Sequence, residues 1–71
     1  MINDQQIAEY NNAKKILKDA PLRYPEMNRD QLEASVIDLK FHIACRKEDR
    51  EEFGLEKSRL ALVRKLLKAA A

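Results

Sequence analysis

The stretch Leu32-Glu33-Ala34-Ser35-Val36-Ile37-Asp38-Leu39-Lys40-Phe41-His42-Ile43-Ala44-Cys45 decides how this chain folds. At roughly 100° per residue, Leu32, Val36, Leu39 and Ile43 fall within about 60° of one another on a helix, while Ala34, Ile37, Phe41, Ala44 and Cys45 gather on the far side. A surface helix needs one apolar stripe, and two stripes need two covers. Polar residues fill the seams, with Glu33, Lys40 and Lys47 on one side and Ser35, Asp38, His42 and Arg46 on the other. The segment therefore reads as an interior helix, covered from two directions.

Working outward, both upstream helix starts carry the same grammar. Asn3 stands three residues before Gln6, and Asn28 three before Gln31, the spacing of a capping box that satisfies the free N–H groups of a first turn. Ile2 with Ile7, and Met27 with Leu32, are placed as hydrophobic staples. The first helix presents Ile7, Tyr10, Ala13, Leu17 and Ala20 on its inner side, with Ile16 flanking, and Pro21 ends it. The connector Pro21-Leu22-Arg23-Tyr24-Pro25-Glu26 is stiffened by its two prolines. Helix two continues through the mixed charges of Arg46 to Glu52, and Gly54 is expected to close it in the left-handed conformation. The competing reading runs helix two straight into helix three, since an interior glycine costs only about 1 kcal/mol relative to alanine. Helix three carries Leu55, Leu60, Leu62, Val63, Leu66 and Leu67 on one broad apolar side, with Lys57, Arg64 and Lys68 opposite. The expectation is a single all-α domain over 1–71, an N-terminal helix plus a helical hairpin, with helices at about 4–20, 28–52 and 55–70.

Size and composition narrow the function classes. A chain of 71 residues folded alone buries only about 60% of the surface that its unfolded form exposes, which makes stability marginal. Cys45 is the one cysteine and His42 the one histidine, so neither a disulfide framework nor a multi-ligand metal staple is at hand, and oligomerisation or a partner is the remaining device. Helix two is expected to meet helices one and three through one stripe and a second copy through Ile37, Phe41, Ala44 and Cys45, giving a homodimer. An unpaired cysteine on an apolar face suits a reducing compartment, and the expected location is cytoplasmic. The mean hydropathy of −0.60 and the lack of a long apolar run argue against a membrane-spanning segment, and the first residues lack the layout of a signal peptide. The net charge of +2 is small but uneven: residues 55–71 sum to +4 and residues 1–54 to −2.

Candidate chemistry is sparse. His42 and Cys45 at i and i+3 can reach one metal ion, but a zinc site wants three or four ligands, and the expectation is no metal and no cofactor. Glu48, Asp49, Glu51 and Glu52 interleave with Arg46, Lys47 and Arg50 in a self-compensating face rather than a pocket of carboxylates. With no glycine-rich phosphate loop and no Ser/His/Asp set, no enzyme activity is expected. Leu22, Arg23, Tyr24 and Met27, with the Phe53 corner, are of the residue types that anchor protein interfaces and form the candidate partner site. The favoured alternative is that Leu22 and Tyr24 fold back to cover the end of the three-helix core.

Lys57, Arg64, Lys65 and Lys68 form the alternative site, a basic amphipathic helix that could follow nucleic-acid phosphates in a salt-sensitive way. Leu39-Lys40-Phe41-His42-Ile43-Ala44 and Ser58-Arg59-Leu60, followed by Val63-Arg64-Lys65, faintly resemble the two helices of a bacterial large-subunit ribosomal protein. That family is a helical hairpin that binds ribosomal RNA, so the resemblance implies RNA as a partner. It touches a little over half of the chain and has no counterpart of the first helix. The function expected from these residues is a small non-enzymatic interaction protein, an adaptor, inhibitor or regulator acting as a homodimer, with a nucleic-acid-associated regulator as the alternative.

Overall fold

Asn3 and Asn28 cap their helices as the spacing requires. Each side chain accepts the backbone N–H three residues on at 2.8 Å, and Gln6 and Gln31 accept the cap residues' own N–H groups at 2.9 and 3.0 Å. The structure is a computed structural model that describes residues 2–70, with side chains through residue 69. From these starts run α1 (Asp4–Leu17) and α2 (Arg29–Glu48), joined by a connector with one 3-10 turn at Tyr24–Glu26, and α3 (Gly54–Ala70) completes the chain. All regular structure among the described residues is helical, a small compact three-helix domain.

The helices end earlier than their patterns suggest, for local reasons. The chain after α1 tightens into i to i+3 bonds, Lys18 N–H to the Lys15 carbonyl at 3.4 Å and Ala20 N–H to the Leu17 carbonyl at 3.1 Å. Pro21 then disfavours helical geometry at Ala20, so Ala20 lies outside the helix that was expected to include it. At α2 the correction is larger. Arg50, not Gly54, is the left-handed residue, with φ 57°, and no glycine has positive φ. Glu51 N–H reaches the Arg46 carbonyl at 2.8 Å and Arg50 N–H the Lys47 carbonyl at 3.2 Å, the paired bonds of a Schellman stop. The helix therefore ends at Glu48 instead of reaching 52, and Gly54 becomes the first residue of α3.

Arg46 reinforces the stop. Its guanidinium meets Glu51 Oε2 at 3.1 Å and Glu56 Oε1 at 3.0 Å, and the Glu56 side chain is only 14% exposed. One arginine on the last turn of α2 thus ties both the stop and the first turn of α3, so the two helices return antiparallel. The seam of this hairpin is Leu32 and Leu39 against Leu60 and Val63, all buried, with Val36, Ile43, Leu66, Leu67, Tyr24 and Met27 packed around them. Ser35, expected in a polar seam, is buried too. Its hydroxyl donates to the Gln31 carbonyl at 2.9 Å and lies 3.4 Å from the Met27 sulfur, so no polar group is stranded.

Part of the second stripe of α2 faces α1. The Tyr10 ring stacks on Phe41 with centroids 4.0 Å apart and planes 9° from parallel, and Lys14 lies 5.5 Å from the Tyr10 ring centre. Ala13 is fully buried and Ala34 nearly so, both lining the cleft between α1 and α2, where their small side chains let the helices approach closely. Ile2 N–H donates to Glu48 Oε1 at 3.1 Å, which fixes the start of α1 beside the end of α2. The helices α1 and α3 each pack on α2 far more than on each other, so α2 is the middle element of a body 32 × 24 × 20 Å. Helix α3 thus covers the first stripe and α1 packs on part of the second, whose Ile37, Phe41, Ala44 and Cys45 are half-buried.

Two stability tests separate these findings from the sequence expectation. Gly54→Ala should stabilise by about 0.4–1 kcal/mol, because its φ suits any residue and a methyl group there meets nothing within 4 Å. Arg50→Gly should stabilise by about 1 kcal/mol by relieving the left-handed cost. Urea denaturation reads both, and a destabilised Gly54→Ala would restore Gly54 as the stop. Tyr10→Ala removes the ring over Phe41 and should cost about 1–3 kcal/mol. Sedimentation equilibrium should return the 8.3 kDa mass of one chain for the wild type, with self-association appearing only in the uncovered variant.

Candidate functional site

Between α2 and α3, on the side of the hairpin that α1 does not cover, runs an open groove of about 610 Å³. Its apolar floor comes from both helices: Ile43 and Ala44 of α2, Leu60 and Ala61 of α3, and Phe53 at the closed end by the turn. Because Leu39 and Val63 hold the helices together beneath it, with Leu60 shared between seam and floor, the groove needs no further closure to fold.

The charged residues lining the groove are Lys40, Lys47, Lys57 and Arg64, with no carboxylate among them. Lys40 and Lys47 line the α2 wall, and Lys57 and Arg64 the α3 wall. None of the four takes part in an ion pair among the described residues, whereas Arg29 and Arg46 do. Lys47 has one engagement, its ammonium lying 5.3 Å from the Phe53 ring centre, a cation–π contact that closes the end of the groove. Like charges within a Debye length repel, so this arrangement costs the free protein some stability.

The structure regroups the residues singled out from sequence. Lys57 and Arg64 from the basic set, Phe53 from the partner set and Ala44 from the dimer set all line this one groove. Lys65 and Lys68 stay exposed outside it. Ile37 and Phe41 lie on the α1 side of α2, half-buried, and Cys45 is a half-buried free thiol. The connector set divides. Tyr24 and Met27 pack against the hairpin core, while Leu22 is 100% exposed and Arg23 exposed beside it. Leu22 therefore does not fold back over the core end. His42 Nε2 lies 3.3 Å from Asp38 Oδ1 and turns an edge to Tyr10, and among the described residues no group of three His, Cys, Asp or Glu could hold a metal ion. No described helix is long and apolar enough to cross a membrane.

Lys40 and Lys47 are the residues that sequence reasoning passed over, since a lysine in the seam of a helix reads as solvation. Their i, i+7 spacing matches that of Lys57 and Arg64, and this was the available signal. No protein-family model matches the chain, and searches of the curated proteins and of the solved structures give no significant match. The ribosomal resemblance gains no support from them.

The unbalanced groove gives a direct test on the free protein. Lys40→Glu places a carboxylate in a groove lined by three other cations and should raise stability by about 0.2–1 kcal/mol at low salt, with the gain shrinking as salt is added. Thermal melts at two ionic strengths read it, and a loss of stability at low salt would show that the cations do not repel one another.

Proposed function

We propose that this chain is a small non-enzymatic protein–protein interaction module, an adaptor, inhibitor or regulator, and that a segment of its partner protein seats between α2 and α3. The observation that carries the reading is the open apolar floor of Ile43, Ala44, Phe53, Leu60 and Ala61, drawn from both helices of the hairpin. Helix-lined apolar grooves with polar rims are a recurring way to seat a partner segment. The acting form we propose is the single copy, because α1 packs on the second stripe of α2 through Tyr10 against Phe41 and buries Ala34.

Nucleic acid is the second reading, favoured by Lys65 and Lys68, which prolong the positive charge of α3 beyond the groove. Against it stands the floor itself. Base-stacking surfaces present free aromatic faces, and the one ring here, Phe53, already carries Lys47.

Affinity capture from the native host, with wild type, Ala61→Trp and Leu22→Ser compared side by side, tests the proposal. Ala61 is exposed, so tryptophan there fills the groove without entering the core. A protein held by wild type and by Leu22→Ser, lost with Ala61→Trp, and retained after nuclease treatment is the expected result. Retention by Ala61→Trp, or release by nuclease, overturns the reading.

A further inference from the structure

We infer that the groove's occupant is an acidic amphipathic helix of the partner, about two turns of which carry carboxylates on both flanks of an apolar stripe. This rests on the protein-docking reading above and specifies its ligand. Charge comes first. Four cations and no carboxylate surround one groove, and among the described residues none of the four is in an ion pair. In the free protein these like charges gain nothing from one another, while an anionic occupant turns each of them into an attraction and rejects cationic competitors.

Spacing sets the occupant's shape. Lys40 and Lys47 on one wall, and Lys57 and Arg64 on the other, are each seven residues apart, which is about 10.5 Å along a helix, or two turns. A docked helix lying along the groove has the same rise, so its carboxylates fall at i and i+7 on each flank. Between them its apolar residues at i+3 and i+4 meet the floor. Ala44 and Ala61 stand midway between the two pairs of cations, and their short side chains leave room for a helix backbone to come close.

A second copy of this chain does not fit that description. Its densest acidic run, Glu48 to Glu52, lies at the end of α2 and in the turn that follows, and the acids of α1, Asp4 and Glu9, share their helix with Lys14 and Lys15. Phosphates alone would satisfy the rim and leave the exposed part of the apolar lining, Ala61 above all, uncovered. The combination of anionic flanks and an apolar centre selects the helix.

The experiment uses the full chain and a fluorescent synthetic helix of about 15 residues with a leucine stripe flanked by glutamates at i and i+7. Controls are the same peptide with lysine for glutamate, a scrambled peptide of identical composition, and a mixed-sequence single-stranded oligonucleotide. Anisotropy should show the acidic helix binding, with the lysine and scrambled peptides weaker by about tenfold or more. Ala61→Trp should weaken the acidic helix by a similar factor, and Lys40→Glu with Arg64→Glu should transfer preference to the lysine peptide. Equal binding of the scrambled peptide, tighter binding of the oligonucleotide sensitive to the same variants, or no binding of the acidic helix at millimolar concentration each overturns the inference. If the acidic helix fails while Ala61→Trp still releases the captured partner, the groove stands as a docking site and only this occupant is lost. If groove filling leaves capture untouched, both fall.

Discussion

Helix α2 is packed on by both of the other helices, and every other feature of the molecule is arranged around that constraint. Leucines at positions 32 and 39 pin α3 through Leu60 and Val63, and on the opposite side Phe41 and Ala34 receive α1 through Tyr10 and Ala13. The two attachments differ in kind. The α3 side is an aliphatic seam whose strength scales with buried apolar area. The α1 side rests on a stacked ring pair, Tyr10 on Phe41, and on two small buried residues, Ala13 and Ala34, a packing with stricter geometry. In a chain this small the loss of either attachment removes a large share of the core. Tethering the first residues through Ile2 N–H to Glu48 adds a contact where the α1 attachment would otherwise fray.

The groove is a consequence of how the hairpin turns. A Schellman stop at Arg50 ends α2 at Glu48, and Arg46 then holds Glu51 and Glu56 at once, which brings the first turn of α3 back beside the last turn of α2. Phe53 is thereby set at the closed end, and Lys47 and Lys57 line the groove from its two walls. Had α2 continued to Gly54, α3 would start a turn or more further on, and the i, i+7 pairs on the two walls would lose their register. An exposed backbone stop thus decides which cations share the groove, and Lys47 belongs to both, its carbonyl to the stop and its side chain to the lining.

Much of the fold was legible in the residues alone, because capping boxes and stripe periodicity act over three to seven positions. Asn3 with Gln6 and Asn28 with Gln31 formed the bonds that their spacing requires, and each stripe of α2 met a packing helix. What was not legible is what competes at equal local cost. Glycine is the usual left-handed residue, yet Arg50 took that role because the Arg46 contacts favour an earlier stop. Whether α1 or a second copy covers Phe41 depends on where the proline-stiffened connector sends the chain, and nothing within seven residues of Phe41 encodes that. The groove failed to appear for a similar reason. Lys40 and Lys47 belong to one helix and Lys57 and Arg64 to another, and only the hairpin brings their faces together.

That separation also explains why the four cations can coexist. Each is exposed, flexible and hydrated, so repulsion among them costs far less than burying even one unpaired charge would. The seam one layer below carries the folding energy, and the rim is free to be electrostatically unbalanced. A glutamate at any of these positions would suit the isolated chain better, and the sequence has glutamates close at hand, at Glu33, Glu48 and Glu56, all outside the groove lining. Glu56 is turned instead onto Arg46, where it steadies the turn. Acidic residues are thus present on both walls' helices yet kept from the groove, a division of charge that folding alone does not require and that an anionic partner would use.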